Sequence, residues 1–138
     1  MKRLILVTMS LLVLLVAGCG SEVSVVIPIP VPIRIFTGPS ITHSQYSQDT
    51  VNKFVDGSVD FYAPDSDIDT ITISVVDSGG VLVERIVTSL AGLTGMTTGT
   101  ISFSIDYLGY RPDSYTFTIY LTDRAGYFSN AVYGSFTV

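Results

Sequence analysis

The pattern of hydrophobic and polar positions divides the 138-residue chain into three parts. An apolar run fills residues 4–17, prolines alternate with aliphatic residues over 28–32, and short alternating runs occupy residues 40–138. Alternation with a period of two is typical of strands with one buried face. Because no segment keeps a helical period and turn residues separate the runs, we expect an all-β domain.

Residues 40–138 predict a seven-stranded antiparallel sandwich. The alternation is clearest in SYTFTIYLTD, where odd-numbered residues from Tyr115 to Leu121 point one way and the threonines and Tyr120 point the other. Ser78, Gly79 and Gly80 separate two runs, as in a tight hairpin. The predicted strands comprise residues 40–46, 57–62, 70–77, 81–88, 100–107, 115–123 and 131–138.

The beginning of the chain has the layout of a secretory signal. Lys2 and Arg3 precede the apolar run, and small residues follow it. The run is shorter than the roughly 20 apolar residues that a membrane-spanning helix needs. We therefore predict that residues 1–18 form a cleaved signal peptide.

Val16, Ala17, Gly18 and Cys19 resemble the lipobox of bacterial lipoproteins. The resemblance implies cleavage before Cys19, diacylglycerol on its sulfur and acylation of the new amino terminus. Two or three acyl chains hold a domain on a bilayer stably, whereas one chain does not. Gly20, in place of an aspartate, favours the outer membrane of a Gram-negative cell by the same resemblance. The alternative is an ordinary signal peptide followed by an unrelated cysteine.

Residues 19–39 would then comprise the lipidated cysteine and an extended tether. Pro28, Pro30 and Pro32 fix φ and remove amide donors, which excludes a helix or a central strand there. Polyproline II geometry would make this segment a semi-rigid spacer. A passive spacer and a docking segment for a partner protein both fit this pattern.

Charge excludes one class of partner. Lys2 and Arg3 leave with the signal segment, so five basic residues oppose twelve acidic ones and the formal charge becomes −7. Nucleic acid requires a positive surface, so we expect no nucleic-acid binding. Cys19 is the only cysteine, and the domain must therefore be stable without a disulfide.

Residues 100–138 resemble the C-terminal half of an immunoglobulin-like or fibronectin type III-like sandwich. Leu108, Pro112 and Tyr115 lead into the alternating strand, and a TDRAG turn and a closing GSFTV strand follow. The resemblance implies a tyrosine corner, with the Tyr115 hydroxyl bonded to the preceding loop. The chain lacks the tryptophan and the cysteine pair of antibody domains, and the shared motifs are structural.

Alternating carboxylates in APDSDID form a first candidate site, for calcium. The B–C and F–G connections of such a sandwich emerge at one end, which would bring a second group of oxygen ligands close. Thr70 and Val76 occupy the required glycine and glutamate positions, so the loop is not an EF-hand. The alternative is a solvated acidic turn. The candidate ligands are Asp65, Asp67, Asp69, Asp123 and Asn130.

Aromatic residues in or beside turns form a second candidate site, where stacking and apolar burial would bind a sugar or a peptide. The alternative is ordinary loop packing. These residues are Tyr107, Tyr110, Tyr127 and Phe128.

We expect no catalysis. His43 is the only histidine and lies near no nucleophile motif. Nothing in the sequence suggests that Asp60 and Asp106 form a catalytic pair of carboxylates. The sequence therefore predicts a lipid-anchored envelope protein whose β-sandwich is a structural or protein-interaction module. The alternative is a carbohydrate- or peptide-binding domain of adhesion type, with or without calcium.

Overall fold

A computed structural model describes residues 37–138, which fold into seven strands and one 3-10 turn, Ala91–Leu93. The predicted signal peptide, Cys19 and the tether up to residue 36 lie outside the described residues. Among residues 37–138, no helix is long and apolar enough to cross a membrane. The strands are β1 (Ser40–Asp49), β2 (Phe54–Tyr62), β3 (Ile68–Val76), β4 (Leu82–Ser89), β5 (Thr98–Asp106), β6 (Ser114–Asp123) and β7 (Val132–Thr137).

Two antiparallel sheets form a sandwich, with strand orders β1-β2-β5 and β4-β3-β6-β7. The predicted fold class is thereby confirmed. The turn between β3 and β4 contains the predicted hairpin glycines. Gly80 adopts a φ of +78°, and the Asp77 carboxylate accepts hydrogen bonds from the amides of Gly79 and Val81.

The core lies between the sheets and is built by alternate residues of each strand. In β6 every odd position from Tyr115 to Asp123 is buried, while the even positions face outward. Ile71, Ile73 and Val75 of β3 are likewise buried. Each fully buried aliphatic or aromatic side chain contributes about 1.5–3 kcal/mol, so the core can stabilise the fold without cross-links.

Aromatic rings fill the middle of the core, and two glycines make room for them. Phe103 and Phe117 come from opposite sheets, with ring centroids 5.9 Å apart. A Cβ atom at Gly57 would overlap the Phe103 ring, and one at Gly134 would overlap the Phe117 ring. The glycines therefore set how closely these rings approach the backbone.

The loop between β5 and β6 contains the predicted tyrosine corner. The hydroxyl of the buried Tyr115 donates a hydrogen bond to the Arg111 carbonyl at 2.8 Å. This bond fixes the loop against the start of β6, as the resemblance implied.

Strands β1 and β7 are edge strands of different sheets, and side chains join them. Asn130 accepts a hydrogen bond from the Ile41 amide at 2.8 Å and donates one to the Ile41 carbonyl at 3.1 Å. At the other end of β1, Gln48 donates to the Thr137 carbonyl at 2.6 Å. These polar contacts close one side of the sandwich.

Candidate functional site

Part of the predicted calcium cluster does come together at one end of the sandwich. The Arg124 amide donates to the Asp67 carbonyl at 3.1 Å, and Ile68 pairs with Asp123 across β3 and β6. Partial burial and the negative charges of Asp123 and Asp65 raise the pKa of Asp67. The buried Asp123 carboxylate accepts a hydrogen bond from the Tyr127 amide at 2.8 Å.

Two of the other candidate ligands, Asn130 and Asp69, form hydrogen bonds with the backbone of other residues. Asn130 is bonded to both backbone groups of Ile41, and the Asp69 carbonyl accepts a hydrogen bond from the Leu90 amide. No group of three or more His, Cys, Asp or Glu side chains in residues 37–138 could hold a metal ion. The calcium site stays a prediction, without a cluster to support it.

Two of the four predicted binding aromatics have structural contacts. Tyr107 is only 1% exposed, and its hydroxyl donates to the Asp49 carbonyl at 2.9 Å. Tyr110 packs against the core, and its hydroxyl donates to the Glu84 carboxylate. Burial and this hydrogen bond raise the pKa of Tyr110 well above its ordinary value. The Tyr107 ring is therefore enclosed in the core, whereas the partly exposed Tyr110 is held by its hydroxyl.

Phe128, which is 67% exposed, lies on the outer side of the four-stranded sheet. It forms an isolated antiparallel bridge with Thr122, whose side chain shares the outward side of β6. Tyr127, the fourth predicted aromatic, is 45% exposed and its Cβ lies near Gly38, beside the start of β1. Of the four predicted residues, Phe128 therefore joins Tyr120 on the outward side of this sheet.

We call the outward side of β4, β3, β6 and β7 the aromatic face. Cross-strand pairing orders its residues in rows, since directly opposite residues share a side of the sheet. The rows are Leu82, Val76, Thr116 and Ser135; Arg85, Ser74, Thr118 and Tyr133; Val87, Thr72 and Tyr120; and Ser89, Thr70, Thr122 and Phe128.

Three aromatic residues follow one another along this face. Tyr133 is 69% exposed, and the Tyr120 ring meets the Phe128 ring edge-on at 5.5 Å. The rows of Tyr133 and Phe128 are separated by four residues of β6, which corresponds to about 13 Å. Large rings at this spacing form an elongated apolar strip bordered by hydroxyl groups.

Arg85 belongs to the edge strand β4, and its side chain reaches this strip. Its guanidinium donates a hydrogen bond to the Tyr120 hydroxyl at 2.9 Å, so the two side chains meet over β3, the strand between them. A guanidinium has five N–H groups, so this bond positions the charge and leaves other donors for a ligand.

The two outer faces of the sandwich differ in charge. None of the residues in the rows of the aromatic face is acidic, and Arg85 is the one charged residue in those rows. On the outer side of β1-β2-β5, Asp60 lies opposite His43 and Thr100, Asp56 lies opposite Ser47 and Ser104, and Asp106 lies opposite Phe54.

Sequence reasoning on turns missed Tyr120, Tyr133 and Arg85. The alternation in β6 already grouped Tyr120 with the outward threonines, but it did not show which neighbouring strands continue that surface. Only the register of β3, β4 and β7 places the three residues on one face.

No protein-family model and no curated protein matches the chain. Among solved structures, the chain is similar to the crystal structure of wild-type OgpA from Akkermansia muciniphila, with a TM-score of 0.55 and 13% sequence identity. The similarity covers 72% of this chain and 27% of that one, so the chain matches about a quarter of the length of OgpA. A likeness at this identity concerns the fold alone: the chain contains a β-sandwich module of a kind found within a larger protein.

Proposed function

We propose that the protein is a lipid-anchored component of a bacterial envelope and that its β-sandwich is a non-catalytic interaction module. The aromatic face is the observation that supports the interaction role. Exposed aromatic side chains concentrated on one surface are typical of recognition sites. The resemblance of residues 16–19 to a lipobox supports the anchor.

The architecture of the aromatic face suits binding better than catalysis. Its rows combine aromatic and aliphatic side chains with hydroxyls and one guanidinium. His43, the only histidine, belongs to β1 on the other sheet. The face therefore offers no His to activate one of its hydroxyls as a nucleophile.

Carbohydrate binding is a second candidate function, and the mixture of rings and hydroxyls favours it. Aromatic rings stack on the apolar faces of sugars, while hydroxyl side chains exchange hydrogen bonds with sugar hydroxyls. The solvent-contacting hydroxyl residues around the strip are Thr70, Ser74, Thr116, Thr118, Thr122 and Ser135.

The interaction role can be tested in intact cells with a photo-crosslinking amino acid. Placed at Thr118, on the aromatic face, it should give discrete crosslinked products. The matched control is Ser58, which lies at a similar central position on the opposite face. Equal crosslinking from both positions, or none from Thr118, would contradict an interaction role for the aromatic face.

The lipid anchor requires a separate test, because the proposal for Cys19 does not depend on the proposal for the aromatic face. Cells fed an alkyne-bearing fatty acid should label the full-length protein, and Cys19→Ala should abolish the label and release the protein from the membrane fraction. Labelling that persists in Cys19→Ala would refute the lipobox interpretation, whatever the crosslinking shows.

A further inference from the structure

We infer that the aromatic face binds an acidic glycan, with sugar rings against Tyr133 and Phe128 and a carboxylate of the glycan on Arg85. This inference rests on the proposed binding role of that face and specifies its ligand class. Three features support this inference: the position of Arg85, the distribution of carboxylates between the two faces, and the complete backbone hydrogen bonding of β3 and β6.

Arg85 is held where a ligand on the aromatic strip would meet it. Its hydrogen bond to Tyr120 places the guanidinium beside the middle ring of the strip. Guanidinium groups bind carboxylates through paired hydrogen bonds, which are shorter and stronger than those between neutral groups. A sugar acid stacked on the strip could therefore use this charge directly.

The distribution of carboxylates makes this outer face more favourable for an anion than the opposite outer face. Eleven of the twelve acidic residues of the chain lie within residues 37–138, yet none occupies a row of the aromatic face. Packed sheets lie about 10 Å apart, so the carboxylates of the opposite face are farther than Arg85 from a ligand bound here.

A glycan suits this surface better than an acidic peptide does. The backbone groups of β3 and β6 are paired on both sides within the sheet, so a peptide lying across them finds no free edge for strand pairing. Sugar hydroxyls, by contrast, need only side-chain partners. Ser74 and Thr118 lie between Arg85 and Tyr133 in one row, and Thr122 is paired with Phe128.

Binding of polyuronates by the full-length protein, purified in detergent, tests the inference. The probes are polygalacturonate, alginate and hyaluronan, each compared by calorimetry with its carboxyl-reduced form. We expect binding to at least one polyuronate. Carboxyl reduction and Arg85→Gln should each weaken it roughly tenfold or more. Tyr133→Ala should also weaken it, while Arg111→Gln, an exposed arginine on the β5–β6 loop, should not.

The possible outcomes distinguish the acidic-glycan inference from the proposed interaction and carbohydrate-binding roles. Equal affinity for the carboxyl-reduced polymers, or an unaffected Arg85→Gln variant, would overturn the acidic ligand and leave carbohydrate binding in place. Binding of neutral glycans without binding of any polyuronate would likewise overturn the acidic ligand and leave carbohydrate binding in place. If only polyglutamate binds in an Arg85-dependent way, the ligand is a peptide and the glycan is refuted. Crosslinking at Thr118 reports on the interaction role independently.

Discussion

Gly134 shows how a single residue controls the packing of the aromatic core. A methyl group there would overlap the rings of Phe117 and Tyr46, which already meet edge-on at 5.0 Å. Phe117 is only 2% exposed and has no open space to enter. We predict that Gly134→Ala lowers the free energy of unfolding by about 1–3 kcal/mol, the usual cost of overpacking.

Urea denaturation measures this change, and Gly92→Ala is the control. No atom lies within 4 Å of the position that a Cβ would take at Gly92. Its free energy of unfolding should change by less than about 0.5 kcal/mol. Equal stability of the two variants would contradict the packing role of Gly134.

Asp67 provides a residue-scale prediction about pH. Partial burial and two neighbouring carboxylates raise its pKa in the folded state, so the ionised form is less favourable folded than unfolded. Protonated Asp67 therefore contributes to the free energy of unfolding. This contribution is fully present below the unfolded-state pKa of about 3.9, and it is lost as the pH rises through the higher pKa of the folded state. We therefore expect Asp67→Asn to stabilise the protein at pH 7, by less than about 1 kcal/mol.

Thermal unfolding at two pH values checks this prediction. The melting temperature of Asp67→Asn should exceed that of the wild type at pH 7, and the two should converge near pH 3. A difference that persists undiminished at pH 3 would mean that the substitution acts through packing or hydrogen bonding instead.

At the scale of elements, side-chain hydrogen bonds join β1 to β7 and to the segment just before β7. Asn130 bonds both backbone groups of Ile41, which is only 7% exposed. Removing both bonds leaves those groups unsatisfied, so Asn130→Ala should cost about 1–3 kcal/mol. Hydrogen exchange should accelerate at the Ile41 amide while amides between β3 and β6 keep their protection.

Gln45→Ala is the matched control, because its side chain bonds only Ser58 of the neighbouring strand. That variant should leave exchange at Ile41 unchanged. If Asn130→Ala also leaves exchange at Ile41 unchanged, the Asn130 hydrogen bonds do not hold β1 in place.

The sequence predicts strands well where alternation continues without interruption, as in β6, and less well at turns without glycine. The prediction ended the first strand at residue 46 and began the second at 57, whereas pairing continues to Asp49 and Phe54. In that turn the Asp49 carboxylate accepts hydrogen bonds from the amides of Val51 and Asn52, and Lys53 adopts a φ of 67°. Aspartate, asparagine and lysine form a tight turn here without the expected glycine.

The candidate site was less accessible to sequence reasoning, because it depends on strand order. Tyr107 and Tyr110 follow a strand, as exposed loop residues often do, but tertiary packing buries the first and engages the second with Glu84. Tyr133 and Arg85 are separated by almost fifty positions, and only the pairing of both strands through β3 and β6 puts them in one row.

At the scale of the molecule, the sandwich formed by residues 37–138 has two outer faces of different chemistry. One carries outward aspartates in three rows, and the other carries an aromatic strip, hydroxyls and Arg85. Under the inference above, the first face would repel an acidic polymer and Arg85 on the second would attract it. If the different charges of the two faces select the ligand, a carboxylate added to the aromatic face should weaken polyuronate binding. A carboxylate added to the opposite face should not.

Thr118→Asp and Ser58→Asp make that comparison. Both residues lie on inner strands and are half-buried, so both variants should lose comparable stability, within the roughly 1 kcal/mol range of strand propensities. Thr118 shares a row with Arg85 and Tyr133, and a carboxylate there would compete for the guanidinium and repel a uronate. Calorimetry should therefore find polyuronate binding lost in Thr118→Asp and retained in Ser58→Asp. Retention in both folded variants would show that the charge pattern of the aromatic face does not select the ligand.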